Sequence, residues 1–137
     1  MSRDTVEYES FDPSSHLAGA VALCEQLGWP SYADPSVARA AFSAPGATTW
    51  VATCSGEIVG LVHLLSNGVV HAHLSLVGVL PDHRRRGVAR HLVATAFRRG
   101  GGKWLDLCAE SGSEGFYRSF QHRTSSGFRI YPVDPAA

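Results

Sequence analysis

The stretch VGVLPDHRRRGVARHL, residues 77 to 92, sets Arg84, Arg85 and Arg86 between an apolar strand-like run and a helical pattern resuming at Gly87. A helix dipole disfavours cations at that end, so three arginines there call for an anion. A tight turn into a helix also leaves several backbone N–H groups without intrahelical partners. Such an end binds phosphate, whose charge stabilises both the helix and the arginines. Gly87 lets backbone approach the ligand where a Cβ would obstruct it, and Ala89 is small for the same reason. The G-x-x-x-x-G-K-[ST] pattern of a nucleotide loop is absent, as are two of the three glycines of a dinucleotide fingerprint.

A second group suits proton transfer. On the strand VVHAHLSLVGVL, alternation puts His71, His73, Ser75, Val77 and Val79 on one face. An unperturbed imidazole, with a pKa of ~6.5, is mostly neutral at pH 7 and can accept a proton. His71 also reads as a solvated residue beside a turn. His63, on the neighbouring strand, reads either as core or as a third member of the group. His16, His83, His91 and His122 read as surface residues. No acidic partner stands at ligand spacing, so no metal site is expected. Cys24, Cys54 and Cys108 form no C-x-x-C pair and read as small core residues.

The elements that must position these groups follow from pattern. TVEYES reads as a first strand, and PSSHLAGAVALCEQLG as a helix stopped by Gly28. Trp29 and Tyr32, in the loop WPSYADP, either line a binding mouth or pack that loop onto the body. A short helix, SVARAAFSA, precedes three strands, TTWVATC, EIVGLVHLL and VVHAHLSLVGVL. Turns at Ser55-Gly56 and Asn67-Gly68 make those strands an antiparallel meander. Val88, Ala89, Leu92, Val93, Ala96 and Phe97 form one apolar helical face, ended by three glycines. KWLDLCA is then a strand, parallel to the one before Pro81 because a helix joins them. SEGFYRSF reads as a short helix and GFRIYP as a last strand.

The chain of 137 residues, 45% hydrophobic and 18% charged, has the size and balance of one globular α/β domain. No apolar run is long enough to span a membrane. The polar, acidic start MSRDTVEYESFD lacks the form of a secretory signal, so a cytoplasmic location is expected. Seven of the twelve basic residues fall between Arg84 and Lys103, while residues 1 to 70 carry seven acids against two bases. That asymmetry points to a local anionic ligand and away from nucleic acid.

RRRGVA resembles the R/Q-x-x-G-x-G/A signature of the GNAT N-acetyltransferases, read as Arg84, Gly87 and Ala89. Pro81 before it, Phe116-Tyr117 after it and the order of elements extend the resemblance over most of the chain. It implies one GNAT-like domain over residues 1–137, with a mostly antiparallel mixed sheet flanked by helices. A central parallel strand pair would splay to admit acyl-coenzyme A. Acetyl-coenzyme A is then the cofactor, its pyrophosphate held on the turn Arg84, Arg85, Arg86, Gly87, Val88, Ala89 and Arg90. The pantetheine arm pairs with backbone of Val77, Gly78 and Val79, and Gly78 is the expected site of the distortion that opens the strands. A backbone N–H there can also hold the carbonyl oxygen as charge develops on it.

Tyr117 matches the tyrosine that in many members protonates the leaving thiolate. His73 lies where some members carry a glutamate base and arylalkylamine N-acetyltransferases a histidine. His71, Trp29 and Tyr32 are placed on the substrate side. Two positions depart from the family pattern. Gln121-His122 replaces the usual Gly-Phe, and Glu110 stands where many members have asparagine.

The function implied is transfer of acetyl to a small primary amine by direct attack in a ternary complex. The alternatives are a non-catalytic acyl-coenzyme A sensor or a protein N-acetyltransferase. No nucleic acid or membrane partner is expected, and dimers are common in the family.

Overall fold

The computed structural model describes residues 5–136. Met1–Asp4, the first residues of the polar start, lie outside that range. The chain divides after Asp106 into two compact units.

The first unit is built on a five-stranded sheet in the order β1-β2-β3-β4-β5. Its strands are β1 (Val6–Ser10), β2 (Ala47–Cys54), β3 (Glu57–Ser66), β4 (His71–Val79) and β5 (Trp104–Asp106). Neighbours run antiparallel except β4 and β5, which are parallel as the intervening helix requires. The result is a mixed sheet flanked by helices, in agreement with the sequence reading.

The helices are α1 (Pro13–Gln26), α2 (Pro35–Phe42) and α3 (Val88–Gly100). Both α1 and α2 begin with an aspartate followed by proline. Asp12 accepts from the Ser14 N–H, and Asp34 from those of Ser36 and Val37. His16, expected at the surface, is instead buried. Its Nδ1 accepts from the Asp12 N–H at 2.9 Å, which leaves Nε2–H to donate to the Glu9 carboxylate at 2.7 Å. The ring thereby fastens the start of α1 to β1.

Each sheet face is covered from one side. Ala20, Leu23 and Cys24 of α1 pack with Ala38 and Phe42 of α2 on Val51 and Leu61. On the opposite face α3 buries Val88, Leu92, Val93 and Ala96, spaced to form one stripe. A fully buried leucine such as Leu92 stabilises the fold by about 2 kcal/mol relative to leaving it exposed. Among the described residues no helix is long and apolar enough to cross a membrane.

The second unit, from Leu107 onward, contains α4 (Glu114–Arg118). The last strand expected from GFRIYP is not formed. Residues 121–136 carry no strand, and Phe128, Ile130 and Tyr131 are exposed. Alternation marks a chain able to pair but does not supply the partner strand. The helix also ends without the usual glycine: Ser119 closes α4 in right-handed geometry, and the His122 ring bonds back to the Phe120 carbonyl at 2.7 Å. In consequence β5 is the edge of the sheet, so the parallel pair lies at the margin and not at its centre. The strand read from KWLDLCA shortens to three residues, leaving Cys108 outside it and exposed, while Cys24 and Cys54 are buried as expected.

Candidate active site

The strand carrying the histidines does not keep its alternation. Pairing of β3 with β4 matches His63 to Leu76 but Leu64 to Leu74, so Ser75 is an extra residue, a bulge. Before it, His71 and His73 share the α1/α2 face with Leu65, the partner of His73. After it, Leu76 and Gly78 take over that face, while Val77 and Val79 turn to the α3 face opposite Val62 and Gly60. The expectation that His71, His73, Ser75, Val77 and Val79 share one face is therefore corrected. One inserted residue reverses the side of everything beyond it.

Gly78 is likewise not the point of distortion. A Cβ on Gly78 would lie 2.6 Å from Leu27 Cδ1 and 2.6 Å from Trp29 Cη2. Glycine is required there because Leu27 and Trp29 rest on the strand backbone. The opening of the parallel pair comes earlier. Only His71, Ala72 and His73 pair with Trp104, Leu105 and Asp106. From Leu74 onward β4 has β3 as its only strand partner among the described residues.

His73 and His71 border a shallow hollow of about 360 Å³, completed by Pro45, Gly46 and Leu65 to Asn67. His71 Nε2 stands 2.8 Å from Asp106 Oδ2, a partnership the sequence reading missed. Asp106 was findable: it lies on the strand expected to run parallel to the histidine strand. His63 does not join the group. It is buried against Phe42, with ring centroids 5.0 Å apart, and its Nδ1 lies 2.9 Å from Thr49 Oγ1. Burial lowers its pKa to about 4, so it is neutral at pH 7.

Trp29 and Tyr32 both pack onto the body. Tyr32 stacks on Phe42 at 5.4 Å, and both residues join the core cluster beneath α1. Trp29 also borders a second hollow, of about 390 Å³, with Glu25, Gly28, Pro30 and Ala33.

The arginine turn has the geometry of an anion cradle. Pro81–His83 form one 3-10 turn; Arg85 then adopts φ +64 and Gly87 φ +78 before α3 begins at Val88. A left-handed backbone at a non-glycine residue such as Arg85 costs about 1–2 kcal/mol, and such strain gathers at ligand sites. Gly87 is the N-cap of α3 and has no side chain to cap it. The amides of Val88 and Ala89 thus have no partner within the helix. A Cβ on Gly87 would meet nothing within 4 Å, so the approach is open. Arg84 Nε donates to the Val79 carbonyl at 2.8 Å, tying the cationic turn to the end of β4. Arg85, Arg86 and Arg90 are exposed.

In the second unit, Tyr117 is on α4. Its pKa is raised above the ordinary phenol value, first by burial and then by the nearby Glu110 charge. The phenol is accordingly protonated at neutral pH. No group of residues able to hold a metal ion occurs among the described residues.

An open glycine N-cap, a positive turn and an unpaired strand edge fit a pyrophosphate joined to an amide-bearing arm. Comparison with known proteins agrees. The model of the acetyltransferase (GNAT) family matches residues 15–121. No curated protein matches the chain at a significant level. An acetyltransferase from Trypanosoma brucei superposes with a TM-score of 0.76 at 20% identity, covering 94% of this chain and 100% of that one. The aminoglycoside N-acetyltransferase AAC(6')-Iy, solved with a bisubstrate analogue of coenzyme A, gives 0.76 at 20% identity, over 95% of this chain and 99% of its own. An aminoglycoside acetyltransferase from an uncultured soil metagenomic sample, in complex with sisomicin, gives 0.76 at 14% identity, over 94% and 97%. With the family model covering most of its length, the chain belongs to the GNAT acetyltransferases, enzymes that take acetyl-coenzyme A as acyl donor.

Proposed function

We propose that residues 1–137 act as one N-acetyltransferase domain on a small primary amine, by direct attack in a ternary complex. The family match runs from the first unit into the second, as far as residue 121, which favours a single working domain. Aminoglycoside acetyltransferases among the structural neighbours favour a small amine. The observation that carries the reading is the placing of His73: it borders an open hollow at the last pair before β4 and β5 part.

Acetyl-coenzyme A, when bound, supplies a thioester-activated acetyl group. Amides of the turn Arg84–Arg90 and the flanking guanidinium groups hold its pyrophosphate. Backbone groups of Val77, Gly78 and Val79 on the free edge of β4 hold its arm, and an N–H there steadies developing negative charge. An imidazole nitrogen of His73 accepts the proton that the attacking amine must lose, directly or through one water. His71, oriented by Asp106, stands beside it on the same face and receives the substrate. Trp29 and Tyr32 shape the substrate side by fixing the loop after α1. Tyr117 donates its proton to the departing sulfur.

The test is release of free thiol from acetyl-coenzyme A across a panel of aminoglycosides, polyamines, arylalkylamines and peptides. Acceleration by a small amine is the expected result. Thiol release only with peptides, or cofactor binding without release in any mixture, would overturn it.

A further inference from the structure

We infer that Leu27 and Trp29 form a fixed wall that restricts the acyl donor to the acetyl group. The inference rests on the reading that backbone of Val77 to Val79 holds the cofactor arm and its thioester carbonyl. On the α1/α2 face of that segment the only side-chain position is Gly78, flanked on β4 by Leu76 and on the following residue by Leu80. Its place is filled from outside. Leu27 Cδ1 and Trp29 Cη2 each come within 2.6 Å of where a Cβ would be, and Trp29 Cζ2 within 3.0 Å. An acyl chain held at this backbone therefore meets a leucine methyl and the benzo edge of an indole on that side.

The wall is held by the backbone of the helix end. Gly28 has φ +77, which lets α1 close with paired reverse bonds. The Gly28 N–H donates to the Glu25 carbonyl at 3.2 Å, and the Trp29 N–H to the Cys24 carbonyl at 2.9 Å. Cys24 is fully buried, so the indole is anchored to the core and not to a mobile loop. Trp29 also borders the hollow of about 390 Å³. Shrinking the indole would give a longer acyl chain room on that side. A methylene that does not fit an apolar site is worth roughly 10–200-fold in discrimination. Two of them separate acetyl from butyryl.

The experiment needs no knowledge of the acceptor amine. Calorimetric Kd values are measured for free coenzyme A, acetyl-coenzyme A and butyryl-coenzyme A, on the unaltered protein, Trp29→Phe and Leu27→Ala. The unaltered protein should bind butyryl-coenzyme A at least about tenfold more weakly than acetyl-coenzyme A. Trp29→Phe, which withdraws the benzo edge yet keeps an aromatic ring, should close most of that gap and leave the Kd of free coenzyme A unchanged. Equal affinity for the two thioesters in the unaltered protein overturns the wall, even if neither variant folds. So does a gap that both folded variants leave intact. Failure of free coenzyme A to bind overturns instead the cofactor reading beneath it, and the wall falls with that reading.

Discussion

His73 and Val77 stand on opposite faces of the sheet although they lie four positions apart on one strand. An unbroken strand would put both on one face. The bulge at Ser75 divides the strand into a part that presents imidazoles towards α1 and α2 and a part that packs Val77 and Val79 towards α3. On the proposed reading, proton transfer and cofactor binding would use different stretches of β4, and they should separate in a mutant. His73→Ala is expected to lower turnover by about 10²-fold, the scale of a lost general base. The Kd of coenzyme A should stay within about twofold, since the ring is no part of the phosphate turn. Single-turnover kinetics and calorimetry on the same preparation check both halves, and near-normal turnover would take His73 out of the mechanism.

The arginine turn offers an equally separable test. Gly87 sits at φ +78 with open space where its Cβ would be. Gly87→Asp therefore has room in the fold and costs only the strain of a left-handed aspartate, about 1–2 kcal/mol. It also sets a negative charge where the pyrophosphate should lie. Coenzyme A binding should be abolished while the thermal unfolding transition remains cooperative. Unchanged affinity would show that the anion site is elsewhere.

Much of this was readable from residue order. The first two helices, the glycine stop after α1, the three-strand meander and the arginine-bearing turn all follow from local chemistry, and all are found. What escaped reading depends on partners distant in sequence. Nothing about Ser75 marks a bulge, because the extra residue is defined only by pairing with β3. Gly78 looked like a weak point in a strand, yet its cause is the indole of Trp29, 49 positions earlier in the chain. GFRIYP has the alternation of a strand but no strand to pair with among the described residues. Asp106 gained its meaning only when the parallel register set it beside the histidine strand.

Tyr117 supplies the third prediction. Burial and the Glu110 charge both raise its pKa, so the two causes act in the same direction. Its phenol keeps its proton through the neutral range and into moderately alkaline solution. Tyr117→Phe keeps the ring and removes only the donor. Turnover should fall by about 10²-fold with little change in cofactor affinity. A better stabilised leaving thiolate needs the donated proton less, so a coenzyme A analogue with a more acidic thiol should recover part of the rate in the variant. Equal loss with both donors would mean that the residue serves packing alone.

His63 gives a stability prediction with a definite sign. Its folded pKa, about 4, lies below the ordinary histidine value near 6.5 because burial beside Phe42 disfavours the imidazolium. Between those values the unfolded chain binds a proton that the folded protein does not. The contribution of His63 to stability is therefore fully present above about pH 6.5 and is lost as pH falls towards about 4. The loss amounts to roughly 3 kcal/mol when complete, taking 1.36 kcal/mol per pKa unit. His63→Phe cannot titrate, so its stability should fall less steeply across that window. At pH 8 the variant should be the less stable protein, because a phenyl ring leaves the Thr49 hydroxyl without its imidazole partner. Urea unfolding at pH 8, 6 and 5 measures both effects. Parallel curves for the two proteins would mean that His63 carries no part of the acid instability.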